Sequence, residues 1–258
     1  MGDAGPAGKP LLDSLRRHVL APPTDAQSLV REEREAVEAE CDAFERFRDR
    51  VDGVPTASSQ GAPRTRRTVT RRSGGERTDR LRNLYRETVM GVSHYEEFYG
   101  ESLDEHVAAD LSAEVATGLQ RNGTAFTDVY KRRLRAAVEQ AIEQREAFCE
   151  CLATERDSLA TCREGLVDLL DTLDGPRVPA WYAAEFEDDL ASLAAQRQET
   201  MRTRERVGRV DGHDLCAYLY GEPEWTYPVL TAVTRFRTAV DYRADGSDAA
   251  SQSGSTGD

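Results

Sequence analysis

From Thr124 to Asp174 the chain contains no proline, and Gly165 is the one interior glycine. Counting through this stretch by alternating steps of four and three gives Leu134, Val138, Ala141, Arg145, Phe148, Leu152, Glu155, Leu159, Cys162, Leu166, Leu169 and Leu173. Ten of these twelve positions are apolar, while the residues between them are mostly Glu, Arg, Gln, Asp and Ala. An apolar edge sustained at that period is the pattern of a coiled-coil helix. At about 1.5 Å per residue the helix would be roughly 75 Å long, and its apolar edge then has to lie against other helices.

The rest of the chain agrees with an all-α fold. Hydrophobic residues make up 39% and charged residues 31%, a balance that suits long helices with much surface and a narrow buried stripe. Strand-forming alternation is absent. Gly175-Pro176 and Pro179 break the long helix and predict a turn into a second helix over 180–207, giving an antiparallel hairpin of 124–174 with 180–207. Beyond Gln196 that second helix is nearly all polar, which reads as exposed or fraying.

Towards the N-terminus, residues 1–10 read as disordered and residues 11–51 as N-terminal helices. A short helix over Leu11 to Leu20 ends at Pro22-Pro23, and Thr24-Asp-Ala-Gln27 then opens a longer one as a capping box. This longer helix is the expected third strand of a three-helix rod. Residues 52–76 read as a flexible Arg-rich linker, with a helix resuming near Thr78. A further helix over Ser102–Arg121 carries Leu103, Val107, Leu111, Val115 and Leu119 at steps of four. Short helices at 213–220 and from Thr226-Tyr-Pro228 onward complete residues 77–243, with proline tolerated in a first helical turn. The helices at 78–121 and 213–243 are expected to form a small head around 124–147, filled by Tyr85, Phe98, Tyr99, Tyr218, Tyr220, Trp225 and Tyr227. Residues 244–258 read as a disordered tail.

Two histidines stand among five carboxylates in HYEEFYGESLDEH, His94 to His106. Local helix grammar accounts for most of the acids. Ser93-His-Tyr-Glu96 and Ser102-Leu-Asp-Glu105 are two S-x-x-E capping boxes, with Gly100 between them at a helix stop. A metal or acid–base site needs spacings that are missing: there is no HExxH, and His94-x-x-Glu97 reverses the Glu-x-x-His order of di-iron bundles. A helical-bundle enzyme with a site near His94 and His106 is the weakest reading. No phosphate-binding glycine loop, dinucleotide fingerprint or nucleophile elbow occurs. The chain therefore reads as non-enzymatic, with no cofactor, no catalytic residue and no metal site. The five cysteines, Cys41, Cys149, Cys151, Cys162 and Cys216, lack paired zinc spacing and read as small hydrophobes at helix seams.

Charge adds an environment and an alternative. The net charge is −13, and of 34 basic residues only Lys9 and Lys131 are lysine. An acidic, lysine-poor surface is what a halophile's cytoplasmic protein uses to stay hydrated, and an arginine-rich codon bias gives the same lysine count. No stretch reaches the about 18 apolar residues of a membrane span, and the first residues do not resemble a signal peptide. Within residues 64–82, eight arginines face only Glu76 and Asp79, a local charge of +6. Arg64, Arg66, Arg67, Arg71 and Arg72 are therefore candidate contacts for an acidic partner or nucleic acid. Salt opposes the nucleic-acid version: five phosphate contacts would lose roughly 10⁴-fold in affinity over a tenfold rise in salt.

LYRETVMGVSHYEEFYGESLDEHVAADL (84–111), FCECLATERDSLATCREGL (148–166) and YLYGEPEWTYPVL (218–230) resemble an uncharacterised family of haloarchaeal helical proteins. The resemblance spans residues 11–243 and implies habitat and helical architecture, with no activity attached. The expected function is a coiled-coil interaction or scaffold protein. It would bind a protein partner or its own copy through the seam Leu134, Val138, Ala141, Phe148, Leu152, Leu159, Cys162, Leu166, Leu169 and Leu173, with Arg145 and Glu155 setting register. The alternative is a nucleic-acid-associated accessory factor using the arginine-rich stretch.

Overall fold

A computed structural model describes residues 8–57, 67–95, 100–120, 126–173, 178, 181–203 and 212–240, and the side chains of all of these but 8–11, 67–74 and 212–214. Eight helices and no strand occur among the described residues, so the fold is all-α. In chain order they are α1 (Gly8–Asp52), α2 (Arg67–Thr88), α3 (Leu103–Asp110), α4 (Ala113–Leu119), α5 (Asp128–Asp171), α6 (Ala183–Thr203), α7 (Gly212–Tyr220) and α8 (Pro228–Ala239). The chain divides into a central unit, Glu33–Glu150, and a terminal unit that joins Met1–Glu32 to Cys151–Asp258. Helices α1 and α5 contribute residues to both.

Asp128–Asp171 of the proline-free stretch is one helix, and Gly165 does not interrupt it. The glycine lies against α6: a Cβ there would stand 2.6 Å from Leu193 Cδ2. Within the terminal unit, Leu166, Leu169, Leu170 and Leu173 pack with Phe186 and Leu190 of α6, Leu15 and Val19 of α1, and Ala232, Val233 and Phe236 of α8. The pairs Glu155–Arg197 and Gly165–Leu193 fix α6 as antiparallel to this part of α5.

Five expectations are corrected. Pro22 and Pro23 do not end a helix; they lie inside α1, which is continuous from Gly8 to Asp52. Proline removes the amide that would bond the carbonyl four residues back. For Pro22 that carbonyl belongs to His18, and Arg235 Nη1 of α8 donates to it at 3.2 Å. Thr24 consequently caps nothing, and its hydroxyl accepts from Arg163 Nε at 3.3 Å instead. Second, α2 begins at Arg67, well before Thr78, so part of the expected linker is helical.

Third, Ser102–Arg121 is two helices. Ser102 caps α3 with a complete capping box: its hydroxyl accepts from the Glu105 amide and the Glu105 side chain returns to the Ser102 backbone. Ser112, extended at φ 166 and ψ 158, then caps α4 by accepting from the Val115 amide. The steps of four survive the break because both short helices face one core, in which Leu103, Val107, Leu111, Val115 and Leu119 pack with Phe44, Phe47, Tyr85 and Leu134. Gly118 is needed there: a Cβ would meet Tyr130 Cε2 at 2.0 Å, and that ring is held by its hydroxyl donating to Val115 O at 2.6 Å.

Fourth, the polar end of α6 is not all exposed. Arg197 is 1% and Met201 6% exposed. The aromatic residues assigned to one head also separate: Tyr85 belongs to the central unit, and Tyr218, Tyr220, Trp225 and Tyr227 to the terminal unit. Phe98, Tyr99, Glu96, the Gly175–Pro176 turn and Pro179, residues 1–7 and residues 244–258 lie outside the described residues.

Candidate functional site

Both charged interruptions of the apolar seam find their partners within their own unit. Glu155 is fully buried and receives Arg197 twice, Nη2 to Oε1 at 2.6 Å and Nη1 to Oε2 at 2.7 Å. The Tyr220 hydroxyl donates to the same Oε1 at 2.5 Å, and Arg197 Nη1 also reaches Ser158 Oγ at 3.0 Å. A bidentate pair with a further donor is the geometry a buried charge requires.

Arg145 organises the central unit in the same way. Its Nε donates to Glu40 Oε2 at 2.9 Å and its Nη2 to Asp110 Oδ2 at 2.6 Å. The guanidinium lies 4.3 Å from the centroid of the Phe44 ring, within the range of a cation–π contact. Burial works against its charge, but Asp110 and Glu40 outweigh burial and hold its pKa above the ordinary value. Each carboxylate also carries a histidine. His94 Nε2 lies 3.1 Å from Glu40 Oε1, and His106 Nε2 lies 3.8 Å from Asp110 Oδ2. On its other side His106 Nδ1 is 2.8 Å from the Tyr85 hydroxyl. The two histidines of the acidic stretch thus share one network through Arg145.

Burial pushes the Tyr85 phenol well above its usual range, with Asp110 adding to the shift. Tyr85 is therefore a neutral donor to His106 Nδ1, which leaves the imidazole proton on Nε2, towards Asp110. A phenol held this firmly protonated is a poor nucleophile. At Glu105, hydrogen bonds from the Ser102 hydroxyl and amide hold the carboxyl below its ordinary value, as a capping role dictates. Among the described residues, no group of three or more His, Cys, Asp or Glu side chains is placed to hold a metal ion. None of the five cysteines is in a disulfide, and burial raises the pKa of Cys149 to about 11.

Of the seam residues, Leu134, Val138, Ala141, Leu152, Leu159, Cys162, Leu166, Leu169 and Leu173 are buried and Phe148 is half-buried, within this single chain. Arg64 and Arg66 lie outside the described residues. Arg67, Arg71 and Arg72 stand on the backbone of α2, with their side chains outside the description. Arg82, from the same run, is committed internally: Nη1 donates to Asp104 Oδ1 at 2.5 Å and to Leu119 O at 3.0 Å.

The surface feature that sequence reasoning missed is in the terminal unit. Gln198, Met201 and Arg202 of α6, with Tyr227 and Leu230 at the start of α8, line an open groove of about 300 Å³. Tyr227 is 40% exposed at its edge, and Tyr218 and Trp181 of the same unit are 56% and 84% exposed. Met201 and Leu230 fall in different elements, so no local pattern in the sequence pairs them.

Amphipathic helices packed on an apolar core in each unit, with Glu155 and Arg145 paired inside them, make this an all-α protein. No curated protein and no solved structure matches the sequence. Residues 21–243 match the family described as Domain of unknown function (DUF7260), and the chain belongs to that family. Among the described residues, no helix is long and apolar enough to cross a membrane.

Proposed function

We propose that the protein is a non-enzymatic helical interaction module that receives an amphipathic helix of a partner protein in the groove between α6 and α8. The observation that carries this reading is the groove itself: Met201, Leu230 and Tyr227 supply an apolar floor and wall, and Gln198 and Arg202 a polar rim. Such a shape suits one or two apolar anchors of an incoming helix, each contributing about 1.5–3 kcal/mol on full burial. The contact surface moves from the coiled-coil seam, because the chain's own helices cover that seam, to this groove. With a net charge of −13, the partner helix that fits best is basic outside its anchors. The same charge, carried with two lysines, supports the cytoplasm of a halophilic archaeon as the setting.

A photo-cross-linking residue placed at Gln198, with Glu114 as a control position, tests the reading in cells at their native salt. The expected result is a discrete adduct with one other protein, formed at Gln198 only and lost when Leu230→Glu is added to a chain that keeps its helical content. An adduct of twice the chain's mass assigns the groove to a second copy and overturns the partner-helix reading. So does an adduct that survives Leu230→Glu, or one that matches the control.

A further inference from the structure

The Arg145 network of the central unit plays no part in the groove. Its guanidinium binds two carboxylates, Glu40 and Asp110. His94 stands beside the first of these carboxylates. Its Nε2 is 3.1 Å from Glu40, and its side chain is 14% exposed. The His106 side chain, beside the second carboxylate, is 3% exposed.

The surroundings of His106 make a proton added there costly. On its own helix, Asp110 Oδ2 lies 3.8 Å from Nε2, but that oxygen already accepts from Arg145 at 2.6 Å. From α2, the Tyr85 hydroxyl occupies Nδ1 at 2.8 Å. The Tyr95 ring lies edge-on with centroids 5.1 Å apart. Arg145 of α5 repels an imidazolium, while Glu101 and Glu40 attract one. A charged His106 would need Tyr85 to turn its hydroxyl from donor to acceptor, and would set a second cation against Arg145 for one carboxylate oxygen.

We propose that His106 is a proton-operated latch: neutral, it fastens α3 to α2 through Tyr85, and in mild acid it lets α3 go. Burial holds the imidazole below its ordinary value, Arg145 reinforcing burial and Asp110 opposing it. The sign follows from linkage. An unfolded or opened α3 takes up the proton before the closed one does. The latch is therefore complete above the ordinary histidine value of about 6.5 and weakens as pH falls below it. The Arg82–Asp104 pair also joins α2 to α3 and has no histidine in it, so this contact does not by itself confer the pH response.

Hydrogen exchange of the full chain, corrected for the intrinsic pH dependence of amide exchange, reads the latch directly. Between about pH 7.5 and 5, protection of the α3 amides falls roughly tenfold or more, one tenfold step for each unit by which the two histidine values differ, while α6 amides keep theirs. The His106 imidazole, followed by NMR in the unmodified protein, stays neutral until the α3 signals change. Tyr85→Phe, which removes the hydroxyl from Nδ1, lowers α3 protection at neutral pH, and His106→Gln flattens its pH dependence. An imidazole that charges near pH 6.5 with α3 unmoved overturns the proposal, as does an unaltered pH response in His106→Gln. The titration of the unmodified chain decides the matter if that variant does not fold.

Discussion

Arg197 shows how much a single side chain carries in this protein. It is 1% exposed, and its two nitrogens neutralise a carboxylate that is wholly out of water. Removing one partner of such a pair leaves the other charge buried, at a cost of about 3–5 kcal/mol. Arg197→Met should therefore lower the urea midpoint of the terminal unit steeply. Arg197→Met combined with Glu155→Leu should recover most of the loss, because the combination leaves no unpaired charge. A double variant as unstable as the single one would show that the pair contributes through something other than charge compensation. The sequence points to Glu155, since it is one of two charges on an otherwise apolar seam. It hides Arg197, which stands in QRQETMRT among residues that are mostly exposed, 42 positions away.

Among the elements, α1 departs furthest from local grammar. Its two prolines are ordinarily helix-ending, and the interior position costs about 3 kcal/mol relative to alanine. Arg235 Nη1 supplies the His18 carbonyl with the donor that Pro22 lacks. Arg235→Met should raise hydrogen exchange in the turn around His18 to Thr24 and lower stability by about 1 kcal/mol, the net value of one hydrogen bond. Unchanged exchange there would mean that solvent serves the carbonyl equally well.

The contrast between α1 and α5 explains what a sequence of this kind discloses. Helix α5 was legible because everything that makes it, the absent prolines and the spacing of leucines, is local. The α3 cap was legible for the same reason: Ser102 and Glu105 are three residues apart. The break at Leu111–Ser112 was not, because the apolar step of four continues across it into the same core. The candidate site divides likewise. His94 and His106 stand out as a cluster, yet they communicate through Glu40 and Arg145, which are 105 positions apart.

For the whole molecule, the surplus of negative charge is the dominant long-range term. A net charge of −13 opposes compaction by self-repulsion. Raising salt from about 0.1 to 1 M shortens the screening length from about 10 to 3 Å. Exposed pairs such as Arg34–Glu38 and Arg50–Glu87 are worth little in either condition. Thermal melting in KCl should therefore move upward across that range. A melting temperature that stays level or falls would show that surface pairs, not surplus acid, set the electrostatic balance.

The proline pair has a bearing on the order of assembly. The donor that mends the backbone at His18 is 217 positions away in the chain. During synthesis α1 therefore emerges with a weak joint, and that joint is braced only after the chain has been extended as far as Arg235. A nascent chain halted before Arg235 would carry a hinge inside α1 that the finished protein lacks.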